Sequence, residues 1–299
     1  NKVEALVTPL GRSIKSSNPS LLIKSYEDIL FSLETLRKYW SKLSYKIQKI
    51  RDNPLTAREE YNNKISSHRN LKPLDNKITF LTSSIKIKKT KLNRKPKVAI
   101  LREQGVNGHK EMAHAFMMSG FEAHDVHVND ILKGSVDMKS YEGLVACGGF
   151  SYGDVLGAGK GWASKILYNN KIKDELEIFF NDKNKFGLGI CNGCQMFSQL
   201  HSIIPGTSHW PLFDKNKSNQ FEARLSRVKI NKSKSLFMTG MEGSILPIIV
   251  SHGEGKTVFT DKKNIRSAII SYVDNDNKKT TEYPFNPNGS DNGSNGFTN

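Results

Sequence analysis

FGLGICNGCQMFSQL, residues 186–200, is the stretch on which the reading of this chain turns. Phe186, Leu188 and Ile190 alternate with glycines, the pattern of a short buried strand. Gly189-Ile190-Cys191-Asn192-Gly193 then forces a sharp reversal into a helical run. A cysteine set between glycines at a strand-to-helix turn is the thiol counterpart of a nucleophile elbow. Residues without side chains let strand and helix approach closely and leave the thiol projecting. Cys191 is therefore the candidate covalent catalyst. The first-turn N–H groups and the helix dipole lead us to expect a lowered thiol pKa and a ready oxyanion site. Cys194 lies three residues along the helix and is expected to pack or to line a pocket.

Working outward, strands and helices alternate from Lys97 onward. Val98-Ala99-Ile100-Leu101 reads as a buried strand, and Gly105-Val106-Asn107-Gly108 as a tight loop. A helix spans residues 111–119, strands span 121–128 and 143–147, and helices span 162–168 and 176–180. Such alternation implies right-handed crossovers and a mainly parallel sheet with helices on both faces, an α/β fold. Sites in these sheets lie at the carboxyl ends of the strands. That rule places residues 102–107, 147–154 and Cys191 on one rim. Further strands are expected at 222–230, 247–251 and 268–273, followed by an Asn-, Gly-, Ser- and Pro-rich end from Tyr283. Upstream, short strands are expected at 3–7, 21–23 and 29–33, a helix at 34–53 and another at 55–61. Three regions result: 1–61, a basic linker at 62–96 with a possible strand at 77–81, and 97–299.

Composition narrows the class. The 299 residues are 37% hydrophobic and 25% charged, as in a soluble globular protein. No run of about 18 apolar residues offers a spanning helix. The opening at Asn1 shows no signal-peptide hydrophobic region and leads us to expect an internal piece of a longer chain. Three cysteines favour a reducing, cytoplasmic setting over a disulfide framework. Cys191-x-x-Cys194 has the spacing of half a zinc site, but no second ligand pair matches it, so no metal is expected here. The net charge of +16 is uneven: residues 1–96 hold 21 Lys/Arg against 8 Asp/Glu, and residues 97–299 hold 24 against 21. The basic stretches carry no interleaved aromatics for base stacking, which argues against nucleic acid as a partner.

A thiol nucleophile needs a base, most often a histidine held by a carboxylate. Of eight histidines, His252 in Ser251-His252-Gly253-Glu254-Gly255 follows an apolar strand and offers a local His-x-Glu pair. The loop Gly148-Gly149-Phe150-Ser151-Tyr152-Gly153-Asp154 ends the strand expected beside the elbow strand. It lacks the Lys-Ser/Thr of a P-loop and suits an oxyanion role better than phosphate binding.

The blocks KPKVAILREQGVNG, LVACGGFSYGDVLGAGKGWA, LGICNGCQM, SHWP, FEAR, PIIVSHGEG and YPFNPNGS occur in this order across residues 95–290. Together they resemble the class I, flavodoxin-like glutamine amidotransferase domain of the phosphoribosylformylglycinamidine synthase family in its large single-chain form. LRKYWSKLSYKIQKIRDNP resembles the segment that follows the synthetase domains, so residues 1–61 are expected to be an α+β remnant of that region. The resemblance implies that Cys191 attacks the side-chain amide of glutamine, forms a glutamyl thioester and releases ammonia. Backbone N–H groups of Gly148, Gly149, Phe150 and Asn192 would hold the oxyanion, and Gln195 would help hold the substrate. The remaining synthetase domains of the same enzyme would be the partners. There ATP and Mg2+ would activate formylglycinamide ribonucleotide, whereas residues 97–299 need no cofactor. The family's base and carboxylate lie in a His-Pro-Glu block soon after YPxNPNGS, and none precedes Asn299. His252 and Glu254 are therefore expected to be structural or pocket-lining, and the chain by itself inactive or nearly so. The alternative is a non-catalytic α/β binding or scaffolding module that keeps the elbow as a feature of its fold.

Overall fold

The computed structural model describes residues 11–14, 20–24, 26–66, 75–80, 94–261, 263–264 and 268–299. The chain forms two compact units, Asn1–Pro73 and Leu74–Asn299. The expectations at 3–7 and at Leu81 lie outside the described residues.

In the first unit, β1 (Ser20–Ile23) and β2 (Ile29–Ser32) make an antiparallel hairpin. Ser32 caps α1 (Leu33–Arg51), its hydroxyl accepting from the Thr35 N–H at 3.1 Å; this satisfies a first-turn donor that the helix cannot pair internally. Pro54 then opens α2 (Pro54–Ser66), where its missing N–H costs nothing. Tyr45 and Tyr61 stack across the two helices at 4.4 Å. Tyr39, Trp40, Leu43, Ile47 and Ile50 of α1 are exposed.

The second unit holds a four-stranded parallel sheet in the order β4-β3-β5-β6. Its strands are β3 (Lys97–Arg102), β4 (Glu122–His127), β5 (Gly143–Ala146) and β6 (Phe186–Gly189). Strand alternation sorts the core residues by face. Val98, Ile100 and Val145 pack with Phe116 of α3 (His109–Met118). Ala99, Leu101, Leu144 and Ala146 face the opposite way. They meet α4 (Val128–Lys133), α5 (Lys160–Leu167), α6 (Asn170–Asn181) and α7 (Asn192–Phe197), which contribute Ile131, Trp162, Leu176 and Met196 among others. Helices thus cover both faces, as the alternation of apolar segments predicts.

The strands after Phe221 do not extend this sheet. β8 (Glu222–Ile230), β9 (Ile245–His252), β11 (Ala268–Tyr272) and β12 (Ser294–Phe297) form a separate antiparallel sheet in the order β12-β11-β8-β9. β7 (Leu212–Asp214) and β10 (Lys256–Val258) pair with one another. The expected strand at 77–81 is a single bridge, Lys77 to Ile245. The elements α4, β7, β10 and β12 escape the sequence reading. Val128 starts α4 rather than ending a strand, because His127 and Asp130 close a reciprocal capping box there. Residues 294–297, apolar only at Phe297, form β12 because β11 supplies a ladder of partners.

Candidate active site

β5 pairs with β6 through Gly143–Phe186 to Ala146–Gly189, so the loops that follow the two strands emerge side by side. Cys191 sits at the β6–α7 turn with φ 52° and ψ −115°, a conformation that L-residues rarely adopt. The surrounding glycines make this turn possible. A Cβ on Gly189 would fall 2.8 Å from the Gly193 carbonyl oxygen, and one on Gly193 would overlap the Ala146 carbonyl. The elbow expected from residues 186–200 is present.

The loop after β5 is fastened to the loop after β3. Asn107 N–H donates to the Gly148 carbonyl at 2.8 Å, and Phe150 N–H donates to the Gly105 carbonyl at 2.9 Å. Gly149, at φ 130°, bridges Val106. A Cβ there would lie 2.7 Å from the Asn107 nitrogen, so only glycine fits. Two backbone N–H groups face the Cys191 sulfur, that of Gly149 from this loop and that of Asn192 from the elbow. The Phe150 N–H is already engaged by Gly105, so Phe150 contributes by holding the loop. Gly148 packs against the nucleophile, its added Cβ falling 3.3 Å from Cys191 Cβ and 3.7 Å from Sγ.

A cleft of about 450 Å³ opens over the cysteine. Asn107, Glu111, Gly148, Gly149, Phe150, Asp154, Cys191, Gln195, His252 and Glu254 are among the residues that line it. The three rim segments expected to converge therefore do so, joined by the end of β9. Gln195, almost fully buried, donates through Nε2 to the Glu254 carbonyl, and its Oε1 faces Asn192 Nδ2 at 3.4 Å. To reach a bound substrate its amide has to share or exchange that bond.

His252 and Glu254 do not act on one another. Glu254 Oε2 accepts from the Ala158 N–H at 2.8 Å. His252 Nδ1 is buried and finds no hydrogen-bond partner in another residue among those described. Gly255 leaves room for the imidazole, because a Cβ there would fall inside the ring. Burial lowers the pKa of His252, and the Glu222 carboxylate offsets only part of this, so the ring is held toward its neutral form. The histidine–carboxylate ion pairs among the described residues, His124–Glu122 and His127–Glu103, involve none of the cleft's lining residues.

One electrostatic expectation is reversed. The sequence suggests a lowered thiol pKa, whereas in the structure that of Cys191 is raised. Cys191 is exposed along the open cleft, yet enough protein surrounds the sulfur for desolvation to dominate. The N–H groups of Asn192 and Gly149 act in the opposite direction, and the Asp154 carboxylate adds to the rise. α7 has only six residues, which limits what its dipole can supply against burial. The other thiols are further from reaction: burial pushes Cys147 to about 11 and Cys194 to about 12. Cys194 lines a second, aromatic cavity beside β6 and not the cleft over Cys191.

Sequence reasoning missed Ser151 and Asp154. Ser151 Oγ donates to Asn192 Oδ1 at 2.6 Å, and Asn192 Nδ2 donates to Asp154 Oδ1 at 2.9 Å. Their only signal was membership of the glycine loop.

Comparison with known proteins agrees with this geometry. Residues 95–299 match the CobB/CobQ-like glutamine amidotransferase domain. The chain is 45% identical over 302 aligned positions to a phosphoribosylformylglycinamidine synthase of Schizosaccharomyces pombe, covering 97% of this chain and 23% of that protein. Among solved structures, PurLQS from Thermotoga maritima superimposes with a TM-score of 0.51 at 26% identity, covering 67% of this chain and 80% of that one. With the family match spanning about two thirds of its length, this chain belongs to the CobB/CobQ-like glutamine amidotransferases.

Proposed function

We propose that this chain is the glutamine-hydrolysing part of a phosphoribosylformylglycinamidine synthase. The observation that carries the reading is the Cys191 sulfur at a strained elbow, facing N–H donors from two separate loops. In the reaction, Cys191 sulfur bonds to the side-chain carbonyl carbon of glutamine, and the oxygen takes up negative charge between the Gly149 and Asn192 N–H groups. Collapse breaks the carbon–nitrogen bond, and the nitrogen leaves as ammonia after taking a proton. Water then cleaves the thioester to glutamate and restores the thiol. Glutamine is the substrate, and the ammonia serves the synthetase part of the longer enzyme. The chain spans about a quarter of the S. pombe relative, so that conversion of formylglycinamide ribonucleotide to the amidine remains part of this proposal.

ATP and Mg2+ belong to the synthetase reaction. Among the described residues no group of three or more His, Cys, Asp or Glu is arranged to hold a metal ion, and no step here passes through one. Partners of the same enzyme suit the first unit, where the exposed row from Tyr39 to Ile50 offers an apolar face for the rest of a synthetase to cover. No described helix is long and apolar enough to cross a membrane; unpaired thiols agree with a cytoplasmic setting.

Because no His–carboxylate pair lines the cleft among the described residues, we infer that the chain alone turns over negligibly. An electrophilic glutamine analogue is expected to label Cys191 and not Cys194, with glutamine protecting. Labelling of neither cysteine would favour the scaffolding alternative. Glutamate release by the 299-residue chain is expected near background. Turnover that persists and collapses in His252→Ala would instead assign the base to His252.

A further inference from the structure

Six described non-glycine residues have φ near +50 to +65°, and three are asparagines, which tolerate that region. The other three, Tyr152, Asp154 and Cys191, all belong to the two loops that meet at the nucleophile. Such conformations are strained and persist only where the surroundings over-determine them. The side chain of Asn192 provides that constraint. It is buried, and its Oδ1 accepts from Ser151 Oγ at 2.6 Å and from the Ser151 N–H at 3.3 Å. Its Nδ2 donates to Asp154 Oδ1 at 2.9 Å. One amide therefore ties the elbow to both sides of the 151–154 turn, which is the continuation of the loop that presents Gly149.

We infer that Ser151, Asn192 and Asp154 form a positioning clamp that sets the spacing between the Gly149 and Asn192 N–H donors on either side of Cys191. The inference deepens the glutaminase reading and rests on it. The two donors lie 43 positions apart in the chain, and an oxyanion site works only when both point at the same atom from about 2.7–3.1 Å. The side-chain oxygen of Asn192 is the acceptor for Ser151 Oγ among the described residues, and Ser151 is wholly buried. On the other side of the turn, Lys165 holds Glu103 at 2.7 Å, and both interact with Tyr152. The loop is thus fixed at Tyr152 and clamped at Ser151 and Asp154.

The test compares two reactions of Cys191 in the full 299-residue chain and in Ser151→Ala, Asp154→Ala and Asp154→Asn. Acylation by a γ-glutamyl nitroanilide forms a sulfur–carbon bond through an oxyanion and expels nitroaniline, which leaves with the thiol's proton. Alkylation by iodoacetamide displaces iodide and builds no oxyanion. Both rates are referred to the thiolate fraction, read from each variant's own alkylation pH profile. Asp154→Ala is expected to slow acylation by about 10- to 100-fold, below the 10²–10³ for deleting a donor outright, because the donor is displaced and not removed. Thiolate alkylation should stay within about 3-fold, and glutamine's protection constant should change little. Asp154→Asn keeps an acceptor oxygen and should recover most of the acylation rate, while Ser151→Ala gives an independent, smaller loss if Asp154→Ala fails to fold. Acylation and alkylation falling together, or acylation unchanged in all variants, overturns the clamp while leaving the glutaminase reading standing. Acylation is measured with imidazole supplied as the external base, so a parent chain that alkylates but never acylates there removes that reading and the clamp's role with it.

Discussion

Gly193→Ala is the sharpest test of the elbow, because two effects of opposite sign compete there. Gly193 lies in the first turn of α7, where alanine is favoured over glycine by about 0.8–1 kcal/mol in a helix interior. Propensity alone therefore predicts a more stable protein. Against it, the added Cβ would overlap the carbonyl carbon and oxygen of Ala146 and lie 2.8 Å from its Cβ. These atoms are at the end of β5, backbone at the centre of the sheet, and cannot swing aside as a flexible side chain would. Relief requires α7 and β5 to separate by most of an ångström, in a core where overpacking costs roughly 1–3 kcal/mol and sometimes more. The displaced Ala146 carbonyl also accepts the Ile190 N–H at 2.9 Å, so a further hydrogen bond of about 1 kcal/mol is strained directly before the nucleophile. The net expectation is a loss of about 1–3 kcal/mol. For a unit of this size each kilocalorie moves the midpoint by about 2–4 °C, so thermal unfolding should fall by roughly 3–10 °C. Circular dichroism against temperature measures it. A midpoint unchanged or raised would refute the close strand–helix approach on which the elbow assignment depends.

Three further outcomes follow from the electrostatics. At pH 8 a limiting dose of iodoacetamide should modify Cys191 ahead of Cys147 and Cys194 in the folded chain, since burial holds the latter two at about 11 and about 12; peptide mass mapping that finds Cys194 first contradicts the burial pattern. The alkylation rate of Cys191 should keep climbing beyond the ordinary thiol range with no plateau at neutral pH, because its folded-state pKa is raised. Asp154→Asn removes a nearby negative charge that disfavours the thiolate, so the profile should move to lower pH, and a move upward would show that Asp154 is not acting through its charge.

Much of this was legible in the sequence because it depends on local pattern. The glycine-flanked cysteine, the apolar runs at 98–101 and 144–146, and the helix spacings all encode the parallel sheet and its rim. What the pattern could not supply was partnership across the chain. His252 and Glu254 look like a pair from spacing, yet Glu254 turns to Ala158, 96 positions away. Ser151 and Asn192 meet across 41 positions. β12 has Phe297 as its one apolar residue and so gives little periodic signal; its ladder comes from β11. The thiol's pKa was misjudged for the same reason: first-turn donors are visible locally, whereas desolvation is a property of the assembled cleft.

The reversed thiol pKa also bears on how such a site works. The charged residues lining the cleft are Glu111, Asp154 and Glu254, together with a histidine held toward neutrality, and its lining includes no Lys or Arg. That environment disfavours a resting thiolate and fits the direction of Cys191's shift. The Gly149 and Asn192 donors only partly compensate while the sulfur is neutral. In the proposed glutaminase reaction, once the carbonyl oxygen becomes an anion, the same two N–H groups would meet a full charge in a site already arranged to receive it. Their stabilisation is thus greater in the transition state than in the resting enzyme, which is the condition for lowering a barrier. The consequence is that the proton of Cys191 has to pass to a base as the sulfur–carbon bond forms. The cleft holds the thiol protonated until then, and supply of that base decides whether the elbow turns over.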